Sequence, residues 1–225
     1  MPVFNGELYL EDQIASIYSQ TLTPRRLLIR DDGSTDSSFE LLVKLKSTYG
    51  DWLYLFPKGS NLGCTKNINL LLEETTAPYI SLSDQDDVWL PDKLEISFKH
   101  LKKIEEIYGQ NMPALIHTDL RLVDSSLSDL GLNYTSKQLI NPLLTSPSSL
   151  CLTNVVTGCT ILCNRLLLER ALPIPQQALV HDWWIALVAS VFGRIHFIPI
   201  STILYRQHQH NAIGAKGLGW TYWYR

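Results

Sequence analysis

Arg26-Leu27-Leu28-Ile29-Arg30 runs directly into Asp31-Asp32-Gly33-Ser34-Thr35-Asp36, and Tyr79-Ile80-Ser81-Leu82-Ser83 runs in the same way into Asp84-Gln85-Asp86-Asp87. Each is a short apolar run, rich in Leu and Ile, that stops at a cluster of acids, and each reads as a strand with an acidic turn at its carboxyl end. Helical patterns fill the spaces between such runs. Upstream, Leu10, Ile14, Ile17 and Tyr18 recur at helical spacing over residues 7–20. After the first acidic turn, Ser37 and Glu40 form a capping-box pattern ahead of Leu41, Leu42 and Leu45, which starts a second helix. Residues 52–56 read as strand, Asn61-Leu62-Gly63 as turn and residues 65–74 as helix. Pro91 opens a further helix with Leu94, Phe98, Leu101 and Ile104 on one face. Strands alternating with helices of this length predict right-handed crossovers and an α/β fold with a mixed, mainly parallel sheet flanked by helices. Ligands of such sheets bind beyond the carboxyl ends of the strands, where both acidic clusters fall.

The second half is less regular. Residues 114–118 form another expected strand, ending at Asp119, and residues 125–150 make a long excursion rich in Ser, Leu, Asn and Pro, the kind of loop that often serves as a lid or binding loop. A helix over about residues 182–192 and strands over 195–198 and 202–205 complete the expected elements, without an internal repeat.

The 225 residues are 45% hydrophobic and 18% charged, which is the composition of a folded domain, and the net charge of −3 argues against a phosphate-neutralising nucleic-acid surface. Four cysteines, without paired CxxC spacing, predict reduced thiols rather than a zinc site or disulfide framework. No run approaches the apolar length of a membrane span. The end of the chain, Trp220-Thr221-Tyr222-Trp223-Tyr224-Arg225, is either a packed terminus or a segment suited to a bilayer interface.

Four constellations carry candidate chemistry. Three carboxylates within Asp84-Gln85-Asp86-Asp87 repel one another, so the loop is either a solvated turn or a set of hard oxygen ligands for Mg2+ or Mn2+. Asp31-Asp32-Gly33-Ser34 is either plain turn chemistry or a carboxylate placed to accept the ring N–H of a pyrimidine base. In His181-Asp182-Trp183-Trp184, Asp182 is either a helix N-cap or a general base beside an indole floor. Tyr205-Arg206-Gln207-His208-Gln209-His210-Asn211 follows a strand and gathers a guanidinium and two imidazoles able to meet phosphate or metal.

Taken in order, Phe4-Asn5-Gly6-Glu7 with Tyr9-Leu10, Asp31 to Asp36, Asn61-Leu62-Gly63 with Asn67, Ser83-Asp84-Gln85-Asp86-Asp87-Val88-Trp89, Thr157-Gly158-Cys159, His181 to Trp184 and Tyr205 to His208 resemble the family 2 glycosyltransferases of the GT-A fold, within them the rhamnosyltransferase-like branch of bacterial surface polysaccharide synthesis. The resemblance implies that Asn5, Asp31, Asp32, Asn61, Gly63, Asn67, Asp84, Asp86 and Arg206 bind the nucleotide-sugar, with Asp84-Gln85-Asp86 as the DxD motif. It implies Asp86 and His208 as ligands of Mg2+ or Mn2+, Asp182 as the base that deprotonates the acceptor, and Gly158, Trp183 and Trp184 on the acceptor side. Residues 1–225 would then form one domain, 1–110 for the nucleotide-sugar and 111–225 for the acceptor. The implied reaction is an inverting transfer from a UDP- or dTDP-sugar to a saccharide or lipid-linked acceptor, in the cytoplasm or at the inner face of the plasma membrane; the rival reading is a non-catalytic nucleotide-sugar-binding module. The pattern departs from the family at its start, where the usual hydrophobic first strand is expected to be missing.

Overall fold

In the computed structural model, which describes residues 1–208, the strands form two sheets that share a hydrophobic core cluster. The elements in chain order are β1 (Pro2–Val3), α1 (Leu10–Tyr18), β2 (Leu27–Asp31), α2 (Ser38–Tyr49), β3 (Leu53–Leu55), α3 (Cys64–Glu74), β4 (Tyr79–Ser81), β5 (Val88–Trp89) and α4 (Lys93–Tyr108). They continue with β6 (Ala114–Val123), β7 (Asp129–Asn133), α5 (Tyr134–Gln138), α6 (Pro147–Leu150), β8 (Leu162–Asn164), α7 (Arg165–Ala171), α8 (His181–Phe192) and β9 (Arg194–Arg206).

The first sheet, β1-β2-β3, is parallel throughout, as expected where each crossover carries a helix. The second runs β4-β8-β6-β9-β5 with β7 beside β6; β6 and β9 pair in parallel and its other pairs are antiparallel. The mixed sheet is therefore parallel mainly on the amino-terminal side. The position where the first strand was expected to be missing holds β1, whose Pro2 and Val3 pair with Arg30 and Asp31, and the Met1 ammonium donates to Leu28 O at 2.8 Å.

Two expected boundaries shift for identifiable reasons. Asp119 does not end its strand: its carboxylate accepts from Leu120 N, Thr135 N and Thr135 Oγ1 at 2.8, 3.2 and 2.6 Å, so the buried acid is satisfied and β6 continues to Val123. The two strands expected at 195–198 and 202–205 are one, because β9 slips register between Ile198, opposite Thr118, and Ser201, opposite Asp119. Pro199, which lacks a donor, falls in that bulge, where a missing ladder bond costs least. The capping box also resolves differently. Ser37 is the N-cap of α2 without a side-chain bond, and its N–H goes to the Glu7 carboxylate at 2.8 Å instead of to Glu40.

One core cluster spans both sheets, packing Val3, Leu10, Ile14, Ile29 and Leu42 with Trp89, Leu94, Leu120 and Ile203; a second lies beneath α7 and α8 around Leu115, Leu150, Ile161 and Ile185. These cores bring the carboxyl ends of β1, β2 and β4 and the start of α8 near one another, as the bonds of Asn5 with Ser34 and of Phe4 with Gln85 and the influence of Asp182 on Asp84 show.

Candidate active site

The turn after β2 is built to hold itself. Asp31 Oδ1 accepts from Gly33 N and Ser34 N at 3.0 and 2.9 Å. Gly33 has φ of +83°, and a Cβ there would lie 3.1 Å from Asn61 N, so glycine both permits the turn and admits the 59–61 segment. Asp32 pairs with Arg30 at 2.7 Å and accepts from Leu62 N and Gly63 N, the latter at 2.8 Å. Both acids, read from sequence as base contacts, are buried and largely committed to the chain; Asp31 Oδ2 lacks a hydrogen-bond partner. Asn5, at φ +50°, donates its N–H to Ser34 Oγ and accepts from Thr35 N through Oδ1 at 2.9 Å each, which welds the turn after β1 to the turn after β2. Asn61 is exposed beside that junction, and Gly63, at φ +84°, is the N-cap of α3. Asn67 is fully buried and donates to Arg30 O at 3.2 Å, behind the turn rather than on its surface.

The loop after β4 concentrates negative charge. Burial, with Asp86 and Asp182 nearby, pushes the half-buried Asp84 up to about 7. Asp87 is fully buried and raised well above the ordinary carboxylate range by burial and then by Asp86 and Asp84; its Oδ1 accepts from Arg206 N at 3.3 Å and its Oδ2 has no hydrogen-bond partner. Donor atoms of Asp84, Asp87 and Cys159 lie within 4.8 Å of one another. This trio differs from the expected pair Asp86 and His208, which meet each other at 2.9 Å. Burial holds the Cys159 thiol well above its usual range, hence neutral, and a neutral thiol is a poor partner for a hard cation. Crowded carboxylates with an orphaned oxygen fit a divalent cation bound by oxygen, with Asp84 and Asp86 partly exposed and Asp87 buried.

Asp182 lies in the first turn of α8 and is brought close enough to Asp84 to influence it electrostatically. Its Oδ2 accepts from Gly158 N at 2.9 Å, and its Oδ1 from Trp183 N at 2.6 Å and from Asn154 Nδ2 at 3.2 Å. Gly158 is required here, because a Cβ would sit 2.8 Å from His181 Nε2. The two indoles are anchored by their N–H groups, Trp183 to Leu150 O at 2.5 Å and Trp184 to Ala171 O at 2.8 Å, and Trp184 packs onto the core beneath α8.

Arg206, at the end of β9, is buried and ties four segments together. It donates to Asp86 O, Ser125 O and the Asp12 carboxylate at 2.9, 2.8 and 3.0 Å and lies 4.7 Å over the Tyr9 ring, which also stacks on His208. Gln209, His210, Asn211 and the aromatic tail lie outside the described residues. Sequence reading overlooked Asp12, Asn154 and the contact made by Gln85, since each depends on a partner far along the chain and leaves no local pattern.

The glycosyl transferase family 2 model matches residues 1–160. The chain is 26% identical over 223 residues to the dTDP-rhamnosyl transferase RfbG of Shigella flexneri, covering 96% of this chain and 74% of that protein. It is 31% identical over 139 residues to an uncharacterized glycosyltransferase of Haemophilus influenzae, covering 62% and 52%. Among solved structures it resembles S. aureus TarS 1-349 in complex with UDP, with a TM-score of 0.67, 15% identity and coverage of 92% and 59%. It also resembles the mannosyltransferase PcManGT from Pyrobaculum calidifontis in complex with GDP-Man and Mn2+, with a TM-score of 0.67, 20% identity and coverage of 93% and 56%. The chain thus spans less than three fifths of either structural neighbour's length. Ordered motifs, a GT-A fold and a family model covering most of the sequence agree: this chain belongs to glycosyl transferase family 2.

Proposed function

We propose that the chain catalyses an inverting, metal-dependent transfer of a sugar, with rhamnose the favoured candidate, from a UDP- or dTDP-sugar to a hydroxyl of a growing polysaccharide or lipid-linked saccharide. The observation that carries this reading is the placement of Asp182: a single carboxylate, oriented by Gly158 N, Asn154 and Trp183 N, close to the acidic loop. An inverting transfer needs one base on the acceptor side and charge stabilisation on the leaving side, and the paired carboxylates of a hydrolase are not required.

Residues 1–110 would receive the nucleotide-sugar and residues 111–225 the acceptor. Asp84 and Asp86 would hold Mg2+ or Mn2+, which when bound neutralises the charge that collects on the departing diphosphate. Asp182 takes the acceptor proton as the acceptor oxygen attacks the anomeric carbon and the nucleoside diphosphate leaves from the opposite face. The three donors to Asp182 fix the direction of its lone pairs, so the base is aimed before the acceptor arrives. Arg206 supports the site from behind by holding Asp86 O and Ser125 O. Relatives that bind UDP and GDP-Man support a nucleotide-sugar donor, and the RfbG relative supports the dTDP-rhamnose option. No helix among the described residues is long and apolar enough to cross a membrane.

The test is release of UDP or dTDP from a panel of nucleotide sugars with and without Mn2+. Asp182→Asn should lower turnover by about a hundredfold or more, the contribution typical of a positioned base, while nucleotide affinity stays unchanged. Preserved turnover in that variant would remove Asp182 from the role, and absence of turnover in the wild type with every donor would leave a binding module.

A further inference from the structure

Gln85 lies between Asp84 and Asp86 in sequence, yet its side chain is spent on the turn after β1. Its Oε1 accepts from Phe4 N at 2.8 Å and its Nε2 donates to Phe4 O at 3.0 Å, so one side-chain amide makes the pair of bonds that a neighbouring strand residue would make. Gly6 leaves room for it: a Cβ there would lie 2.7 Å from Oε1 and 2.8 Å from Cδ of Gln85. The opposite side of the same short turn is bonded to the loop after β2, through Asn5 N to Ser34 Oγ, Thr35 N to Asn5 Oδ1 and Gly6 N to Ser38 Oγ. Phe4, Asn5 and Gly6 therefore form a rigid bridge, with the nucleotide-side loop on one side and the middle of the acidic triplet on the other. Any shift of that bridge reaches Asp84 and Asp86 through the backbone of the residue between them.

We propose that Gln85 is a positioning residue that couples occupation of the nucleotide-side loop to the affinity of Asp84 and Asp86 for a divalent cation; this rests on the transferase reading above. A passive brace would stabilise the fold and nothing more. A coupling device makes the cation bind more tightly once a nucleoside has shifted the turn at residues 31–36 and, through the bonds it shares with Asn5, the bridge, even when that nucleoside carries no phosphate to touch the cation. Coupling of this kind is reciprocal, so the cation tightens nucleoside binding by the same factor.

The experiment is a calorimetric titration of Mn2+ into the full chain, alone and saturated with uridine or thymidine, with UDP as a control ligand. In the wild type the nucleoside should tighten Mn2+ by at least about fivefold, the lower end of ordinary site-to-site coupling. Gln85→Ala should bring that ratio close to unity while Mn2+ and UDP each still bind. Gly6→Ala is the independent variant, because its methyl group displaces the Gln85 amide without altering Gln85 itself: it should abolish the ratio in the wild-type background and change nothing further when combined with Gln85→Ala. Lowered thermal stability in the variants with the ratio intact would reduce Gln85 to a brace and overturn the coupling. So would a wild-type ratio of one in a chain that binds both Mn2+ and UDP. A wild type that binds neither Mn2+ nor UDP would overturn the reading of the site itself, and the coupling with it.

Discussion

Replacing His117 by leucine should remove an acid-sensitive weakness from the centre of the larger sheet. His117 lies on β6, is 1% exposed, packs against Phe197 with ring centroids 5.0 Å apart, and has no hydrogen-bond partner for Nε2. Burial, helped by the nearby His196, lowers its pKa from 6.5 to about 3. Above the ordinary value the imidazole is neutral in the folded and unfolded chains alike, and it contributes no pH dependence. As the pH falls below 6.5 the unfolded chain takes up a proton that the folded chain refuses, so stability is lost progressively until about pH 3. At about pH 5, roughly one and a half units below the ordinary value, the loss is about 2 kcal/mol at ~1.4 kcal/mol per unit. Urea unfolding at about pH 7.5 and about pH 5, on wild type and His117→Leu, isolates this contribution, because carboxylate titrations common to both proteins cancel. The wild type should lose about 2 kcal/mol more than the variant between the two conditions. Near-neutral stability should differ little or favour leucine, since the substitution also removes an orphaned donor or acceptor. Parallel behaviour of the two proteins, within about 0.5 kcal/mol, would refute the reasoning by showing that the folded chain takes up the His117 proton as easily as the unfolded chain does.

Three further outcomes follow from buried polar groups. Lys93 is fully buried, with Nζ 3.1 Å from Ser81 Oγ and 3.8 Å over the Trp89 ring, and burial pushes it down to about 7. The unfolded chain keeps this proton up to 10.5, so wild-type stability should rise from pH 7 to 10.5, and Lys93→Met should lose that rise in chemical denaturation across the window. Asp119→Ala removes the acceptor for Leu120 N, Thr135 N and Thr135 Oγ1 and should cost about 2 to 3 kcal/mol, read as a lowered midpoint in urea. Gly158→Ala drives a methyl into His181 Nε2 and so disturbs the N–H that aims Asp182; kcat should fall while nucleotide affinity holds, and recovery of kcat in the Gly158→Ala, His181→Ala double variant checks that the collision is the cause.

Local chemistry made the amino-terminal half legible. Asp31-Asp32-Gly33-Ser34 reads as a turn because Asp accepts from the next N–H groups and Gly takes positive φ, and both happen. Helical spacing at Leu10, Ile14 and Ile17 marks the face that α1 buries. The departures come from partners far along the chain. Glu7 outcompetes Glu40 for Ser37 N, Thr135 satisfies Asp119 inside a strand that an acid was expected to end, and a register slip opposite Thr118 joins two expected strands across Pro199. At the site, the acidic loop and Asp182 could be named from spacing and resemblance, and the structure brings Asp84 and Asp182 close together. What each residue touches was not legible: Asp32 serves Arg30 and the 62–63 backbone, and Arg206 serves Asp12, Asp86 and Ser125.

The absence of any strand pairing between the two sheets among the described residues has a consequence for how such chains diversify. A cut between α3 and β4, near residues 75–78, leaves every ladder intact on both sides, with β1 to β3 ahead of it and β4 to β9 behind. What crosses the joint is side-chain packing, such as Leu10 and Ile14 with Trp89 and Leu94, and separate hydrogen bonds outside any ladder, among them the Gln85 bridge, Arg206 to the Asp12 carboxylate and Thr21 N to Pro91 O. Packing of apolar side chains accommodates volume-conserving change, whereas a ladder tolerates no slip of one residue. Recombination at this joint can therefore join the β1–β3 sheet of one chain to the β4–β9 sheet of another without asking any strand to find a new register.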